Sequence, residues 1–455
     1  MSGRRPRVLI SAYACEPHRG SEPAVGWNLV QQMARHCDVW VITRANNRSA
    51  IESELAGTGR SRPQYEPDKA GGPLRCDGDH SKAQSPSENL RFAYFDLSNW
   101  ARIWKEGKRG VYLYYYLWQI GAWRLARRLH REIGFDIVHH ATFATYWMPS
   151  FLPGLPAPMV WGPVGGGEAT PASMYGTFTL RGRLSELLRA AVQAIGRRDP
   201  FVRRTARRSA VALASTAETA ARLRQIGASD VRVLTVVGLP REEISALCPA
   251  PLRDASPFRM AGVGLLLHWK GFALAIRALA RLRQTVPDAE LWLIGDGPNR
   301  TRLQALANEL GVASGVRFTG GVRRAEVFRL LSECDVLVHP SLHDSGAYVC
   351  AEAMAAGRPV ICLDLGGPAL QVTPECGIKV PAENPEQAVR DLASAMQTLA
   401  ANVPLRRRMS EGARRRVREH LCWELKGEQI LAIYNDILAR QPRSAASPVA
   451  IEVRS

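Results

Sequence analysis

Residues 339–357 read HPSLHDSGAYVCAEAMAAG, and the change of character along this stretch decides the fold. It continues from Asp335–Val338, a short apolar run of buried-strand type. Ser341, Asp344, Ser345 and Gly346 are loop and cap residues. From Tyr348 the composition turns helical, rich in Ala and Met. A strand therefore ends, a small-residue loop turns, and a helix begins with unpaired backbone N–H groups facing that loop. Unpaired donors and the positive end of the helix dipole coincide there, so such a start attracts phosphate. Asp344 falls in the loop and Glu352 about a turn into the helix. An acid beside a phosphate cradle is better placed to accept hydrogen bonds from sugar hydroxyls than to meet the phosphate. The plainer reading of these residues is a strand–loop–helix crossover carrying two solvated acids.

The same rhythm runs outward in both directions. Phe258–Gly264 leads through LLLHWKG to a helix over Phe272–Val286. Glu290–Ile294 leads to the turn GDGP and a helix over Asn299–Leu310, and Val316–Phe318 to TGG and a helix over Arg324–Glu333. Pro359–Leu363, an LGGP turn and Ile378–Val380 follow, and helices over Pro404–His420 and Trp423–Leu438 close the chain. In the first half the strands expected are Arg7–Ser11, Asp38–Thr43, Leu90–Phe95, Phe135–His140, Met159–Trp161, Val211–Ala214 and Val231–Val237. Helices are expected from Trp27 to about His36, over Leu180–Arg208 and over Ala217–Gln225. Strands alternating with helices through short Gly-marked turns predict a parallel sheet covered on both faces. Both halves show it, so the fold class is α/β, with two facing parallel-sheet domains and a cleft between them. A Pro-rich, polar stretch places the boundary, giving domains over 1–238 and 257–455 joined by a linker over 239–256. The last helix is expected to reach back to the first domain. Residues 57–89 are rich in Gly, Pro, Ser and Asp without periodicity and read as a flexible insertion.

At 455 residues, two domains are also the prior from length alone. The net charge is +18, and Met1–Ala210 holds 30 basic against 17 acidic residues. The excess in the first half points to an anionic partner there, such as lipid headgroups or a phosphorylated substrate. Nucleic acid is disfavoured, because no binding motif is present and the arginines are scattered over several helices. None of the nine cysteines forms a CxxC; they read as buried thiols in a reducing compartment. MSGRRPRVLI lacks an adequate apolar core for a signal peptide. The longest uncharged apolar run, Val111 to Trp123, is too short to span a bilayer. A cytoplasmic location is expected. Within Trp100–Arg131, aromatics and leucines interleave at helical spacing, and Arg124, Arg127, Arg128 and Arg131 gather at the end. One reading is an interfacial helix touching an anionic membrane. The other, preferred, is a core-packing helix whose cationic end suits its dipole.

Lys270–Gly271 opens a helix straight after a strand, where a Lys can pair with a diphosphate. The ordered set GVGLLLHWKG (Gly262–Gly271), LIGDGP (Leu293–Pro298), RFTGG (Arg317–Gly321) and HPSLHDSGAYVCAEAMAAGRPVI (His339–Ile361) resembles the retaining glycosyltransferases of family 4, which have the GT-B fold of two facing Rossmann-like domains. RGSEPAVGWN (Arg19–Asn28), DIVHH (Asp136–His140) and WGPVGGGE (Trp161–Glu168) look like the branch that builds bacterial surface polysaccharides. The resemblance implies a nucleotide-diphosphate sugar donor held mainly by the second domain, and no metal or other cofactor. Glu352 would accept hydrogen bonds from the ribose hydroxyls, and Asp344 would face the donor sugar. Lys270 and the backbone of Ser345, Gly346 and Ala347 would hold the diphosphate. Arg317 and Gly320, in the Arg317–Gly321 turn, would meet the base through the main chain. Gly20, Ser21 and Glu22 would close the site from the first domain. His139 or His140 would join Asp344 in catalysis. Gly165, Gly166, Gly167 and Glu168 would line the acceptor side. The acceptor implied is a polysaccharide or a lipid-linked oligosaccharide, met in the cytoplasm or at the inner face of the cytoplasmic membrane.

Four positions depart from the family pattern. Leu265 stands where an Arg usually precedes the Lys by a few residues, removing a bidentate phosphate clamp. Asp344 is one methylene shorter than the usual Glu. Ala347 replaces a common Gly and could crowd a backbone approach to phosphate. His139 and His140 are adjacent where the family spaces its histidines by one residue, and the sequence leaves open which faces the cleft. Leu265 and Ala347 motivate a second expectation, a catalytically weakened relative serving as a binding or scaffold subunit. A third, a nucleotide-sugar epimerase, would require His139 and Asp344 to flank one sugar.

Overall fold

The computed structural model describes residues 4–57, 89–97, 110–247, 252 and 257–440. Most of the flexible insertion expected over 57–89 lies outside these, as do residues 100–109 of the aromatic stretch and most of 248–256. The first domain runs β1 (Arg7–Ala12), α1 (Glu22–Ala34), β2 (Asp38–Thr43), α2 (Arg48–Leu55), β3 (Leu90–Tyr94), α3 (Val111–Ile133), β4 (Ile137–Thr142) and β5 (Met159–Val164). It continues with α4 (Leu180–Gly196), α5 (Pro200–Arg208), β6 (Ser209–Ala214), α6 (Ala217–Gln225) and β7 (Val231–Val233), and α7 (Arg241–Ala246) follows. The second domain runs β8 (Arg259–Val263), α8 (Phe272–Leu282), β9 (Glu290–Ile294), α9 (Arg300–Glu309), β10 (Val316–Gly320), α10 (Arg324–Ser332) and β11 (Val336–His339). Then come α11 (Tyr348–Ala355), β12 (Val360–Leu363), α12 (Gly366–Gln371), β13 (Gly377–Val380), α13 (Pro385–Ala401), α14 (Val403–His420) and α15 (Trp423–Arg440).

Two sheets result, ordered β3-β2-β1-β4-β5-β6-β7 and β10-β9-β8-β11-β12-β13, and neighbouring strands in each are parallel. The order reverses between β1 and β4 in one sheet and between β8 and β11 in the other. Loops leaving the two sides of such a reversal diverge and open a crevice at the strands' C-terminal ends. The strand before the opening stretch, β11, is therefore the switch-point strand of its domain, and β4, with His139 and His140, is the equivalent strand of the other.

Burial follows the parallel-sheet rule: β4, β5, β11 and β12 are buried along their whole length. α15 belongs to the first domain's core. Trp423, Ile430, Ile433, Tyr434 and Ile437 pack with Val8, Ile10, Val39 and Val41. Conversely, Met174 and Phe178, between β5 and α4, are buried in the second domain's core with Phe272 and Met396. Each domain thus lends a segment to the other. The described cysteines, Cys15, Cys37, Cys334, Cys350, Cys362, Cys376 and Cys422, are free and buried.

Some elements differ from the sequence expectation. α1 starts at Glu22 rather than Trp27, because Pro23 suits the first helical turn. The helices expected over Leu180–Arg208 are two, separated at Asp199, whose side chain accepts from Phe201 N and caps α5. α13 was not anticipated. Asn384 caps it by accepting from Gln387 N, Pro385 opens it, and Ala388, Leu392, Met396 and Leu399 bury one face. No helix among the described residues is long and apolar enough to cross a membrane.

Candidate active site

The loop after β11 wraps around one carboxylate. Asp344 Oδ1 accepts from the backbone N–H groups of Gly346 (3.2 Å) and Ala347 (3.0 Å) at the start of α11. Its Oδ2 lies 2.5 Å from Lys270 Nζ and 3.5 Å from His339 Nε2. Burial pushes the Asp344 carboxyl up, but Lys270 and His339 outweigh it and hold the group well below the usual carboxylate range. The unpaired amides foreseen at this helix tip thus face an anion, the protein's own. Lys270 Nζ stands 4.6 Å from the centre of the Trp269 ring, which stacks on His343. Gly271 is required beside it, since φ is +69° and a Cβ would lie 1.9 Å from the Pro340 carbonyl oxygen. Ala347 has φ +59°, a left-handed conformation costing a non-glycine residue about 1–2 kcal/mol.

Glu352, a turn into α11, is buried. Its Oε1 accepts from Arg324 Nε (3.1 Å) and Nη2 (2.8 Å). Arg324 Nη2 also donates to Glu243 of α7. Burial pushes the Glu243 carboxyl up; Arg324 pulls it down and Glu352 pushes it up again. One guanidinium therefore holds two carboxylates together. Sequence reasoning found Glu352 but missed Arg324 and Glu243. For Arg324 a signal existed, a basic residue opening the helix after the TGG turn; for Glu243 none did.

The first domain closes on this loop at two places. The Ser345 hydroxyl donates to Glu168 Oε2, and Gly166 N donates to both Ser345 Oγ (3.0 Å) and Glu168 Oε2 (3.1 Å). Glu168 Oε1 accepts from the hydroxyls of Thr216 (2.5 Å) and Thr219 (2.8 Å). Gly165 and Gly167 allow close approach: a Cβ would lie 3.1 Å from Ser345 Oγ at the first and 2.4 Å from the Thr219 backbone at the second. At the second place, Glu186 of α4 receives His268 Nε2 (3.0 Å) and His343 Nε2 (3.3 Å) from the other domain. Burial pushes Glu186 up, but the two imidazoles and Arg189 hold it below its usual range.

A carboxylate and a lysine at a helix tip, a second acid one turn on, and a facing glycine loop are now in place. Residues 250–416 match the family Glycosyl transferases group 1. The match covers most of the second domain. Over 234 residues the chain is 33% identical to the lipopolysaccharide core biosynthesis glycosyltransferase LpsD of Rhizobium meliloti, covering 50% of this chain and 64% of that one. It is 32% identical over 208 residues to LpsE of the same organism, covering 46% and 55%. The chain thus covers less than two thirds of the length of these curated relatives. Sucrose-phosphate synthase from Thermosynechococcus elongatus superposes with a TM-score of 0.60 over 96% of this chain and 100% of that one, at 19% identity. HepE of Anabaena, in complex with UDP-glucose, superposes with a TM-score of 0.55 over 94% and 99%, at 16% identity. These likenesses show the fold, the GT-B arrangement of two facing parallel-sheet domains.

Other residues singled out from sequence fall in several places. His139 and His140 project to opposite faces of β4, as successive strand residues must. His139 Nε2 donates to the Gly162 carbonyl (2.5 Å), so its Nδ1 accepts from the Tyr434 hydroxyl of α15 (2.6 Å). His140 Nε2 meets the Tyr115 hydroxyl at 2.8 Å. Burial lowers both, His139 to about 4 and His140 to about 3. His140 is on the side of Glu22: its partner Tyr115 packs on Phe143, and Phe143 N donates to Glu22 Oε2 at 2.7 Å. Burial raises the Glu22 carboxyl. Ser21, with φ +61°, and Gly20 form the turn before it.

Gly320 ends β10 beside the GDGP turn, its carbonyl accepting from Gly295 N at 3.0 Å. The Arg317 side chain is elsewhere. It lies 4.5 Å from the Trp292 ring centre and lines a cavity with Arg259 and Glu290, residues at the starts of β8 and β9. The structure does not bring this side chain to Asp344. Leu265 is 55% exposed.

Proposed function

We propose that this chain moves a hexosyl unit from a nucleotide-diphosphate sugar to a polysaccharide or lipid-linked oligosaccharide acceptor, with retention at the anomeric carbon. The observation that carries the reading is the Asp344 cluster. One carboxylate holds the ammonium of Lys270 and two backbone amides at a helix tip, the groups a diphosphate needs. When donor enters, diphosphate oxygens replace Asp344 on Lys270, Gly346 N and Ala347 N. Asp344 is then released toward the sugar hydroxyls. The developing charge on the leaving phosphate is stabilised by a fixed cation and fixed dipoles, with no metal required. The departing phosphate, on the same face as the acceptor, takes the acceptor's proton. Glu352, oriented by Arg324, accepts from the ribose hydroxyls. The similarity to LpsD and LpsE favours a cell-envelope glycan as acceptor, met at the cytoplasmic side of the membrane, and UDP-glucose in HepE favours a nucleotide-sugar donor.

Thermal-shift titration with UDP, GDP, ADP and their sugars tests binding, since a ligand of the folded state raises its midpoint by mass action. Donor hydrolysis and transfer assays with the same set test turnover. Absence of both binding and turnover with every nucleotide sugar overturns the proposal.

A scaffold subunit is the second reading, supported by an exposed Leu265 where a phosphate-clamping Arg is usual. If the wild-type protein turns over and Leu265→Arg changes nothing, that reading loses its basis. An epimerase would need His139 and Asp344 around one sugar, and His139 is instead engaged by Gly162 and Tyr434.

A further inference from the structure

Helix α4 is amphipathic the wrong way round. Its polar side faces inward: Glu186 is clamped by two histidines, Arg189 Nη2 donates to the Glu168 carbonyl (2.9 Å), and Gln193 Nε2 donates to the Gly166 carbonyl (3.2 Å). Its apolar side faces water. Leu180 is 82% exposed, Leu184 57%, Leu187 60%, Leu188 59%, Val192 47% and Ile195 71%. At 100° per residue these six fall within one arc of the helix surface. Phe201, at the start of α5, is exposed as well, so seven of the thirteen exposed large hydrophobic side chains among the described residues come from 180–201. Scattered apolar residues on a surface need no explanation, but a continuous patch marks a contact.

Charge says what the contact is. Residues 180–208 contain nine arginines and two acids. Glu186 is buried in its histidine clamp, and Asp199 caps α5 and accepts from the Tyr116 hydroxyl at 3.2 Å. Arg181, Arg183 and Arg198 are exposed on or beside the apolar arc, and Arg203, Arg204, Arg207 and Arg208 of α5 are exposed as well. An apolar face rimmed by cations suits a bilayer bearing anionic headgroups, with leucines entering the acyl boundary and guanidiniums meeting phosphates. A second copy of the chain would set one arginine rim against another. α3, whose sequence also allows an interfacial role, has Tyr114, Tyr115 and Trp118 buried in the core.

We propose that the outward face of α4, with the start of α5, docks this protein on an anionic lipid bilayer. The inward face of the same helix holds Gly166, Glu168, His268 and His343, which border Asp344 and Ser345. Docking therefore sets the cleft directly over the membrane surface. That last consequence rests on the proposed transferase function, whereas the docking does not.

The experiment is co-sedimentation of the full-length protein with vesicles of equimolar phosphatidylcholine and phosphatidylglycerol, and with phosphatidylcholine alone. Binding is expected to the anionic vesicles and to weaken with added salt. The variant Leu184→Ser/Leu188→Ser/Ile195→Ser is expected to lose at least about tenfold in partitioning with its thermal midpoint unchanged, because all three side chains are exposed. Arg181→Gln/Arg183→Gln/Arg198→Gln should lose the preference for anionic lipid. Equal sedimentation of wild type and the leucine variant overturns the proposal. So does absence of vesicle binding, including the case in which the wild type forms a dimer that the leucine variant cannot form. Nucleotide thermal shifts need no vesicles, so failure of docking and failure of the transferase reading are separable.

Discussion

Lys270 Nζ and Asp344 Oδ2 are 2.5 Å apart, so the cation of the proposed diphosphate site is held by the protein's own acid. On the proposed function, binding a diphosphate requires Asp344 to give up Lys270 and two amides. Asp344→Asn is therefore expected to tighten nucleoside-diphosphate binding, by up to about tenfold, or ~1.4 kcal/mol. The same change should lower transfer by about tenfold or more, because a carboxamide accepts more weakly than a carboxylate from the sugar hydroxyls. Lys270→Ala should weaken both. Calorimetric titration beside turnover measurements checks this, and weaker binding by Asp344→Asn would contradict it.

Arg324 between Glu243 and Glu352 gives a rescue experiment. Removing the guanidinium with Arg324→Met leaves two carboxylates facing each other, one of them buried. A loss of about 1–3 kcal/mol in unfolding free energy is expected. Adding Glu243→Gln to that variant should recover much of it, because the repulsion is gone. If the double variant is no more stable than the single one, the two acids do not share Arg324 in solution.

How much of this was legible in the sequence depends on what kind of physics each feature uses. Both parallel sheets were readable because buried strands such as Val360–Leu363 are apolar end to end and Gly-marked turns separate them from helices. Asp344, Lys270 and Glu352 were readable because a helix tip after a strand has local chemistry. Which of His139 and His140 faces α15 depends on the face β4 turns to it, a tertiary fact. Glu243 and Arg324 are 81 residues apart, and nothing local links them. The motif reading of Arg317 and Gly320 concerns their main chain and does not say where the Arg317 side chain goes; it lies against Trp292. The α4 sequence shows amphipathic periodicity, but periodicity does not say which face is buried. In α4 the usual assignment is reversed.

Glu186 joins α4 to His268 and His343 across the domain boundary, so it should help hold the two domains closed. Glu186→Ala removes the acceptor for both imidazoles and leaves them part-buried without it. A fall in thermal midpoint is expected, together with a larger radius of gyration by small-angle scattering. Glu186→Gln, which keeps an acceptor oxygen, should show a smaller change in both. Unchanged scattering in Glu186→Ala would show that closure does not depend on the Glu186 clamp.

His139 makes acid stability testable with a defined sign. Burial is the larger influence on its imidazole and lowers it; the Gly162 carbonyl raises it in part, leaving it at about 4 against an ordinary 6.5. The folded state therefore keeps His139 neutral where the unfolded chain binds a proton. Its contribution is fully present above about pH 6.5 and is lost as pH falls through about 4, a change on the order of 3 kcal/mol. His140 leans the same way, down to about 3, and burial also lowers His130, His339 and His343, so the acid loss of the wild type is a composite. His139→Gln isolates one part of it. The variant should be less stable than wild type at neutral pH, through the loss of well-placed bonds to Tyr434 and Gly162. The gap should narrow steadily between about pH 6.5 and 4, because only the wild type must exclude that proton. Urea unfolding across this range measures the gap directly, and a gap independent of pH would show that His139 is protonated in the native protein.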